Sequence, residues 1–345
     1  MRKNRLAVLR TLREDALKAI HGQDRAVDSF VRAVCRAEAA SVDALRRRPK
    51  ANVLAYGPTG VGKTELTAVI SDLLYGPGAL VVFDMAEFAG EEGLESFLGS
   101  GGKPGRFSHK VRGREEGVLL LDEIEKAHEK VFLQLLQLLE GGRLTSADGT
   151  VHDLRHWYVV CTSNVAGREI SELDGIPYSS LEEIGKSVLL GTWRPEIVNR
   201  FDLTLLFLPL AYSHQRSIAQ QMLERKCKEV EGICGGKVTV SREAVEAVIR
   251  RGMDRRLGAR PLRRYVEQAV GDAVARRRLD GESGDGVLCV DGKRIVIRPT
   301  APNRTTEELL ALAREENAEL TLRLRDLEAE LRDARRKILE SESVL

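Results

Sequence analysis

The chain has 345 residues, 43% of them hydrophobic, enough to bury a full core and to divide into more than one domain. Its 54 basic and 52 acidic residues leave a formal charge of +2 at pH 7, so no whole-chain signature of nucleic-acid binding exists and any such claim must rest on a local cluster. Cys35, Cys161, Cys227, Cys234 and Cys289 are scattered without a C-x-x-C pair, the pattern of reduced core thiols rather than of a disulfide frame or zinc site. No apolar run approaches bilayer length, and the amino terminus runs into a charged amphipathic stretch, so a cytoplasmic protein without membrane contact is expected.

Residues 4–47 carry apolar side chains at helical spacing with a break at His21-Gly22, and Arg46-Arg-Arg-Pro49 ends that region. The apolar run Asn52–Tyr56 then leads into Gly57-Pro58-Thr59-Gly60-Val61-Gly62-Lys63-Thr64, which opens a helix. Apolar runs at Ala79–Phe83, Val118–Leu121, Trp157–Cys161 and Leu203–Leu208 alternate with helical patterns, the signature of a parallel sheet covered on both faces. From Ala211 to Val270 the pattern is helical. Val287–Val290, Asp291-Gly292 and Arg294–Ile297 predict a hairpin, and Arg298-Pro-Thr-Ala-Pro302 a stiff linker. These boundaries give a helical lead segment at 1–50, a large domain at 51–210, a small domain at 211–298, a linker at 299–304 and a tail helix at 305–342.

The chemistry concentrates where strands end. A glycine-rich turn between a buried strand and a helix aims backbone N–H groups and the positive end of the helix dipole into one concavity, which suits a polyphosphate. Lys63 would reach the terminal phosphates and the Thr64 hydroxyl would hold Mg²⁺. The run Val118-Leu-Leu-Leu121-Asp122-Glu123 places two carboxylates at the end of a buried strand, with Asp122 for the metal or its waters and Glu123 to polarise a water attacking the γ-phosphate. Asn164 closes another apolar strand, where it would bond the γ-phosphate or that water. In isolation, paired acids serve equally as a solvated strand end, and Asn164 as turn chemistry.

The ordered set Ile20-His-Gly-Gln23, Gly57–Glu65, Phe83–Phe88, Leu119–His128, Gly142–Thr145, Thr162-Ser-Asn164, Arg194–Asp202 and Gly258–Leu262 resembles the Clp-type AAA+ unfoldases and disaggregases, in particular their second ATPase ring, over residues 10–298. The resemblance implies an α/β P-loop AAA+ αβα sandwich with a parallel sheet, then a small, mainly helical lid domain ending in a β-hairpin. It implies ATP and Mg²⁺ as ligands, Asp122 and Glu123 as the Walker B pair, and Asn164 as sensor 1. Arg200 would be the arginine finger reaching a neighbouring subunit's nucleotide, Arg260 would be sensor 2, and Ile20 to Gln23 would line the adenine pocket. A trans-acting arginine stabilises transition-state charge only when two subunits are apposed, so the implied assembly is a ring, expected to be hexameric. The lead segment leaves no room for a first ring, so a single ring is expected.

The family's peptide-threading members carry an aromatic–hydrophobic–glycine pore loop before the Walker B strand. Here Phe97–Val111 is shorter, and Phe107 is its one aromatic candidate for a grip. Residues 99–114 are also basic, with Lys103, Arg106, His109, Lys110, Arg112 and Arg114, which reads either as a solvated face or as a flexible loop for an acidic or nucleic-acid partner. No Ile-Gly-Phe or Ile-Gly-Leu tripeptide of the kind that docks a ClpP-type protease occurs. After the capping box Thr305–Glu308, Leu310, Asn317, Leu324, Leu331 and Ile338 recur every seven residues, with Ala313, Leu320, Leu327 and Ala334 at the companion positions, a two-stranded parallel coiled coil over 305–342. The leading expectation is an ATP-driven remodeller of a protein complex delivered by this tail. The alternatives are an ATP-gated scaffold recruited through it, and a nucleic-acid-associated ATPase using Gly99–Arg114.

Overall fold

The computed structural model describes residues 2–39, 47–173, 175–253, 258–300 and 323–324. The coiled coil expected at 305–342 and the linker at 299–304 lie, apart from residues 299–300 and 323–324, outside the described residues. The lead segment forms α1 (Arg2–Ala19) and α2 (Asp24–Ala39), broken where His21-Gly22 predicts. The large domain follows as β1 (Ala51–Tyr56), α3 (Lys63–Tyr75), β2 (Leu80–Asp84), α4 (Gly93–Leu98), β3 (Gly99–Ser100), β4 (Lys103–Pro104), α5 (Arg106–Val111), β5 (Gly117–Asp122), α6 (Glu129–Gly141), β6 (Arg143–Thr145), β7 (Val151–Asp153), β8 (Trp157–Ser163), α7 (Gly167–Ser171), α8 (Tyr178–Thr192), α9 (Pro195–Val198) and β9 (Leu203–Leu206).

Five strands pair in parallel in the order β2-β5-β8-β1-β9. Side chains alternate across a strand, so the continuous apolar runs feed two cores at once. Leu54, Tyr56, Leu119, Leu121, Val159 and Cys161 enter one core, while Val53, Ala55, Val118, Leu120, Tyr158 and Val160 enter the other with α2 and α3. The α2 stripe of Val27, Phe30, Val31 and Val34 follows the helical period onto that second face.

The small domain contains α10 (Tyr212–Cys234), β10 (Val238–Val240), α11 (Arg242–Gly252), α12 (Arg260–Leu279), β11 (Gly286–Asp291) and β12 (Arg294–Pro299). The α/β sandwich, the helical small domain and the terminal hairpin are those the sequence implies. Three details differ. The stretch expected to be helical contains β10, which pairs in parallel with β11; three residues are too few for a period to show, and their partner comes 48 residues later at Gly286 for Val238. The last helix runs on to Leu279. Strand β9 ends at Leu206 rather than Leu208: Phe207 N–H still donates to Tyr56 O at 2.9 Å, but the Leu208 N–H is taken by Gln23 Oε1 at 3.2 Å.

Within the basic segment the charged side chains lie at the surface, as the solvated-face reading has it, and only the aromatic candidate is corrected. Phe107 is fully buried, stacked on Phe83 with ring centroids 5.7 Å apart and packed on Phe97 at 5.2 Å, so it offers no grip at the surface. Ser108 Oγ meets Ser146 Oγ at 2.6 Å and His152 Nε2 at 2.9 Å, which ties α5 to the β6–β7 hairpin. Lys110 donates to Val82 O at 2.6 Å, Arg114 to Gly78 O at 2.9 Å, and Arg106 pairs with Glu87 at 2.6 Å. The segment is therefore a folded turn-and-helix held by its own charges. The β3–β4 crossing is tight enough that a Cβ on Gly99 would lie 2.0 Å from Lys103 O, so glycine is required there.

At the end of the sheet away from the strand carboxyl termini, buried Lys50 pairs with Glu38 at 2.8 Å and Glu116 at 3.4 Å, and Arg5 donates to Glu116 at 2.9 Å. Burial would lift Glu38, but the Lys50 ammonium and the Tyr158 hydroxyl together hold it below its ordinary range, while the Arg5 hydrogen bond holds Glu116 down. Carboxylates depressed in this way add stability above their unfolded pKa and lose it as pH falls through the folded one. Lys50→Ala should cost up to about 3 kcal/mol at pH 7, because Glu38 stays buried with only the more distant Arg5 guanidinium, at 3.5 Å, to offset its charge. Denaturant titrations should show that difference narrowing as pH falls and Glu38 and Glu116 protonate.

Candidate functional site

The carboxyl ends of β1, β5 and β8 stand side by side and open on one cleft, as the parallel order requires. After β1 the chain turns sharply through Gly57, whose φ of +125° and close approach to Phe207 O (2.5 Å from a built Cβ) admit only glycine. Gly62 caps α3 in the left-handed conformation, and the first helical residue is Lys63. The Lys63 ammonium is buried among neutral oxygens: it donates to Gly57 O at 2.7 Å, Pro58 O at 2.6 Å and Asn164 Oδ1 at 3.1 Å. Burial pushes it down to about 8, against the pull of nearby Glu125, Asp122 and Glu123. A desolvated cation at a helix N-terminus is a ready anion site.

Asp122 Oδ1 accepts from Thr64 Oγ1 at 3.0 Å and, in a shorter bond, from the Thr162 hydroxyl on the neighbouring strand. Glu123 adopts the left-handed region (φ 55°), uncommon for a side chain with a Cβ, and its N–H donates to Thr162 Oγ1 at 2.9 Å. That turn swings the Glu123 carboxylate to Asn164 Nδ2 at 3.1 Å and to Lys126. The Lys126 contact, aided by Asn164, keeps Glu123 ionised below the ordinary glutamate range. Asn164 thus bridges the cation and the carboxylate, with Thr59 Oγ1 also donating to its Oδ1 at 3.1 Å and Glu125 Oε1 receiving its backbone N–H at 2.9 Å.

The small domain supplies the opposite wall. Ala259 N–H donates to Gly60 O at 2.9 Å, and a Cβ on Gly258 would come within 2.6 Å of Thr59 O and Gly60 O, so α12 begins directly against the phosphate loop. Arg260 then faces the cleft, with Arg263 one turn on and Arg225 from α10. Away from these charges the wall is apolar, formed by Ile20, Leu210, Ile218 and Met222. The enclosed space is about 460 Å³.

Of the predicted site residues, Thr59 to Thr64, Asp122, Glu123, Asn164, Arg260 and Ile20 line this cleft together. Gly57 and Pro58 shape it through their carbonyls. Gln23 is not part of the lining: it is buried and donates to Val61 O at 3.2 Å and Leu208 O at 2.8 Å, fixing the loop from behind. Arg200 also lies outside, its guanidinium 3.1 Å from Glu140 at the end of α6. Sequence reasoning passed over Thr162 and Glu125, although both stand inside quoted motifs, and it gave no role to Ile218, Met222, Arg225 and Arg263. Their signal is the i, i+3, i+4 spacing on α10 and α12, legible once one knows which helix faces the nucleotide end.

Residues 48–204 match the AAA domain (Cdc48 subfamily), and residues 210–289 match the C-terminal D2-small domain of ClpB protein. The chain is 35% identical over 274 residues to the chaperone protein ClpB of Vibrio vulnificus, covering 76% of this chain and 31% of the relative. It is 32% identical over 337 residues to ClpB of Aquifex aeolicus (91% and 33%), and 33% identical over 321 residues to the ATP-dependent Clp protease ATP-binding subunit ClpC of Staphylococcus epidermidis (85% and 38%). The chain belongs to the Clp-type AAA+ ATPases. It spans about a third of the length of these curated relatives.

A polyphosphate bound beside Lys63 should raise its pKa from about 8, so binding takes up a proton at higher pH and affinity falls as pH rises. Calorimetric titrations with ADP between pH 8 and 10, in buffers of different ionisation enthalpy, should show affinity dropping by up to about tenfold per pH unit. Lys63→Met should abolish the proton uptake along with most of the binding.

Proposed function

We propose that this chain is the motor of a Clp-like protein-remodelling ATPase that works as a ring, with each nucleotide cleaved at a subunit boundary. The observation that carries this reading is the position of Arg200. The cleft holds Lys63, Arg260, Arg263 and Arg225 from its own chain, while Arg200 lies outside it, about a quarter exposed and paired with half-exposed Glu140. A part-exposed ion pair of that kind is worth on the order of 1 kcal/mol, small enough to be exchanged for the phosphates of a neighbour. The relatives named ClpB and ClpC share this stretch of chain, and a ring is the family's general mode of assembly.

Magnesium fits the site. Thr64 Oγ1 and Asp122 Oδ1 are hard oxygens 3.0 Å apart on the cleft, a donor pair that suits an ion completed by phosphate and water. When bound, Mg²⁺ would neutralise charge on the β- and γ-phosphates. Lys63 holds the terminal phosphates, Asn164 keeps Lys63 and Glu123 in one frame, and ionised Glu123 accepts the proton of the attacking water. Arg260 carries the small domain's response to the γ-phosphate directly into α12.

The load is a protein complex moved in short steps. Buried Phe107 leaves the β3–β4 tip with Ser100 and Lys103 and no aromatic grip, which favours local prying over processive threading. Residues 305–342 recruit the client or fix the assembly. A nucleic-acid-associated ATPase using Gly99–Arg114 is the alternative, with Lys103, Arg106, His109, Lys110, Arg112 and Arg114 all exposed and three of them also bonded to Glu87, Val82 O and Gly78 O within the domain. No described helix is long and apolar enough to cross a membrane.

Glu123→Gln should lower kcat by at least about 100-fold while ATP binding and assembly persist. Arg200→Ala should lower kcat by about 10³-fold, again with nucleotide binding retained. Steady-state turnover read beside analytical ultracentrifugation in ATP checks both. Undiminished turnover of Arg200→Ala, or full activity in a strict monomer, would remove the ring-boundary mechanism.

A further inference from the structure

Among the described residues, Glu123 (φ 55°) and Ala166 (φ 63°) are the non-glycine residues with positive φ. Each stands just past a strand of the site, Glu123 after β5 and Ala166 after β8 and Asn164. Backbone persists in that region only where its surroundings hold it, and such positions gather at functional sites. The sheet ladder does not hold Glu123. Pairing of β5 with β8 stops at Leu121 and Cys161, so the Glu123 N–H has no strand partner.

One side chain takes that N–H. Thr162 on β8 is buried and points to the same face as Val160, the side on which α3 packs. Its Oγ1 accepts from Glu123 N at 2.9 Å. A backbone N–H can only donate, so the hydroxyl proton is left for the other contact, Asp122 Oδ1. Branching at Cβ stiffens χ1 and keeps the oxygen between its two partners. The arrangement has a mirror image across the strands. Glu125, just past β5, accepts the Asn164 N–H at 2.9 Å. A side chain of β8 thus holds the backbone that bears Glu123, and a side chain following β5 holds the backbone that bears Asn164. Between these two braces the Glu123 carboxylate meets the Asn164 amide at 3.1 Å.

We propose that Thr162 is a positioning residue for hydrolysis, holding the Glu123 backbone in its left-handed turn and so fixing where the carboxylate stands. Its influence on the rate runs through Glu123 rather than through phosphate or metal. This rests on Glu123 being the group that takes the proton of the attacking water. Without the hydroxyl the N–H loses its acceptor, Glu123 relaxes out of the left-handed region, and its carboxylate withdraws from Asn164. Displacement of a reacting group by about an ångström is enough to slow a reaction about 100-fold.

The test is a double-variant cycle. Single-turnover hydrolysis and ATP affinity are measured across a range of Mg²⁺ for wild type, Thr162→Val, Thr162→Ser, Glu123→Gln and the Thr162→Val/Glu123→Gln pair. Thr162→Val keeps the shape and removes the hydroxyl. It should lower the rate about 10- to 100-fold, with ATP affinity within about threefold of wild type. Thr162→Ser should recover most of that loss. In the Glu123→Gln background Thr162→Val should cost less than about twofold, because the group it positions is already disabled. A merely structural role would slow both backgrounds alike. Equal losses in the two backgrounds, an undiminished rate for Thr162→Val, or a loss that disappears at high Mg²⁺ (which would locate the effect at Asp122) overturns the assignment. Undiminished turnover of Glu123→Gln overturns instead the reading on which it rests. Thermal unfolding confirms that folded proteins are compared, and Thr162→Ala repeats the cycle with a smaller side chain should the valine variant not fold.

Discussion

A single buried ammonium organises this molecule. Lys63 is withdrawn from water at the first turn of α3, where the helix dipole is also positive, and its partners are neutral oxygens rather than a carboxylate. Charge of that kind is tolerated in a fold only when the surroundings hold it and an anion completes it. Each neighbouring element contributes to that arrangement. Asn164 on the end of β8 spans Lys63 and Glu123, Asp122 on the end of β5 meets Thr64, and Gly258-Ala259 brings the small domain to within one hydrogen bond of the loop itself.

The parallel sheet is what makes such convergence possible. Its strands all end on the same side, and the order β5-β8-β1 sets the acids, the amide and the phosphate loop on three adjacent strands. The Ala259–Gly60 bond then makes the small domain sensitive to whatever occupies the loop. Under the proposed function a change in the phosphates would shift Arg260, and with it α12, which packs on α10, α11 and the terminal hairpin. That chain of contacts is the route by which the proposed motor would turn a chemical event into closure of one domain on another around a ligand.

Much of this was readable from the residues. The strands announce themselves because both faces are buried, so Val118–Leu121 and Trp157–Cys161 are apolar without interruption, and the phosphate loop follows from glycine at positions where backbone must pass close to backbone. What escaped was whatever depends on partners distant in sequence. Strand β10 exists only because β11 pairs with it, and the burial of Phe107 requires Phe83 and Phe97 from two other elements. Gln23 and Ile20 fare differently for the same reason. Both stand in one tetrapeptide, yet the first turns inward to the backbone at Leu208 while the second lines the cleft. Charge counting did place Arg106 and Lys110 on a solvated face, but not their acceptors, one glutamate and one carbonyl elsewhere in the domain.

The central claim is that a nucleotide held by one chain is cleaved with the help of Arg200 from the next. Mixing two individually inactive variants measures this most directly. Lys63→Ala cannot hold the phosphates but presents Arg200, whereas Arg200→Ala holds them but lends no arginine. Combined in equal amounts and allowed to assemble, they should recover part of the wild-type ATPase rate, because some boundaries then unite an intact pocket with an intact arginine. Co-assembled mixtures that stay inactive, or an Arg200→Ala protein that hydrolyses ATP normally by itself, would contradict the account.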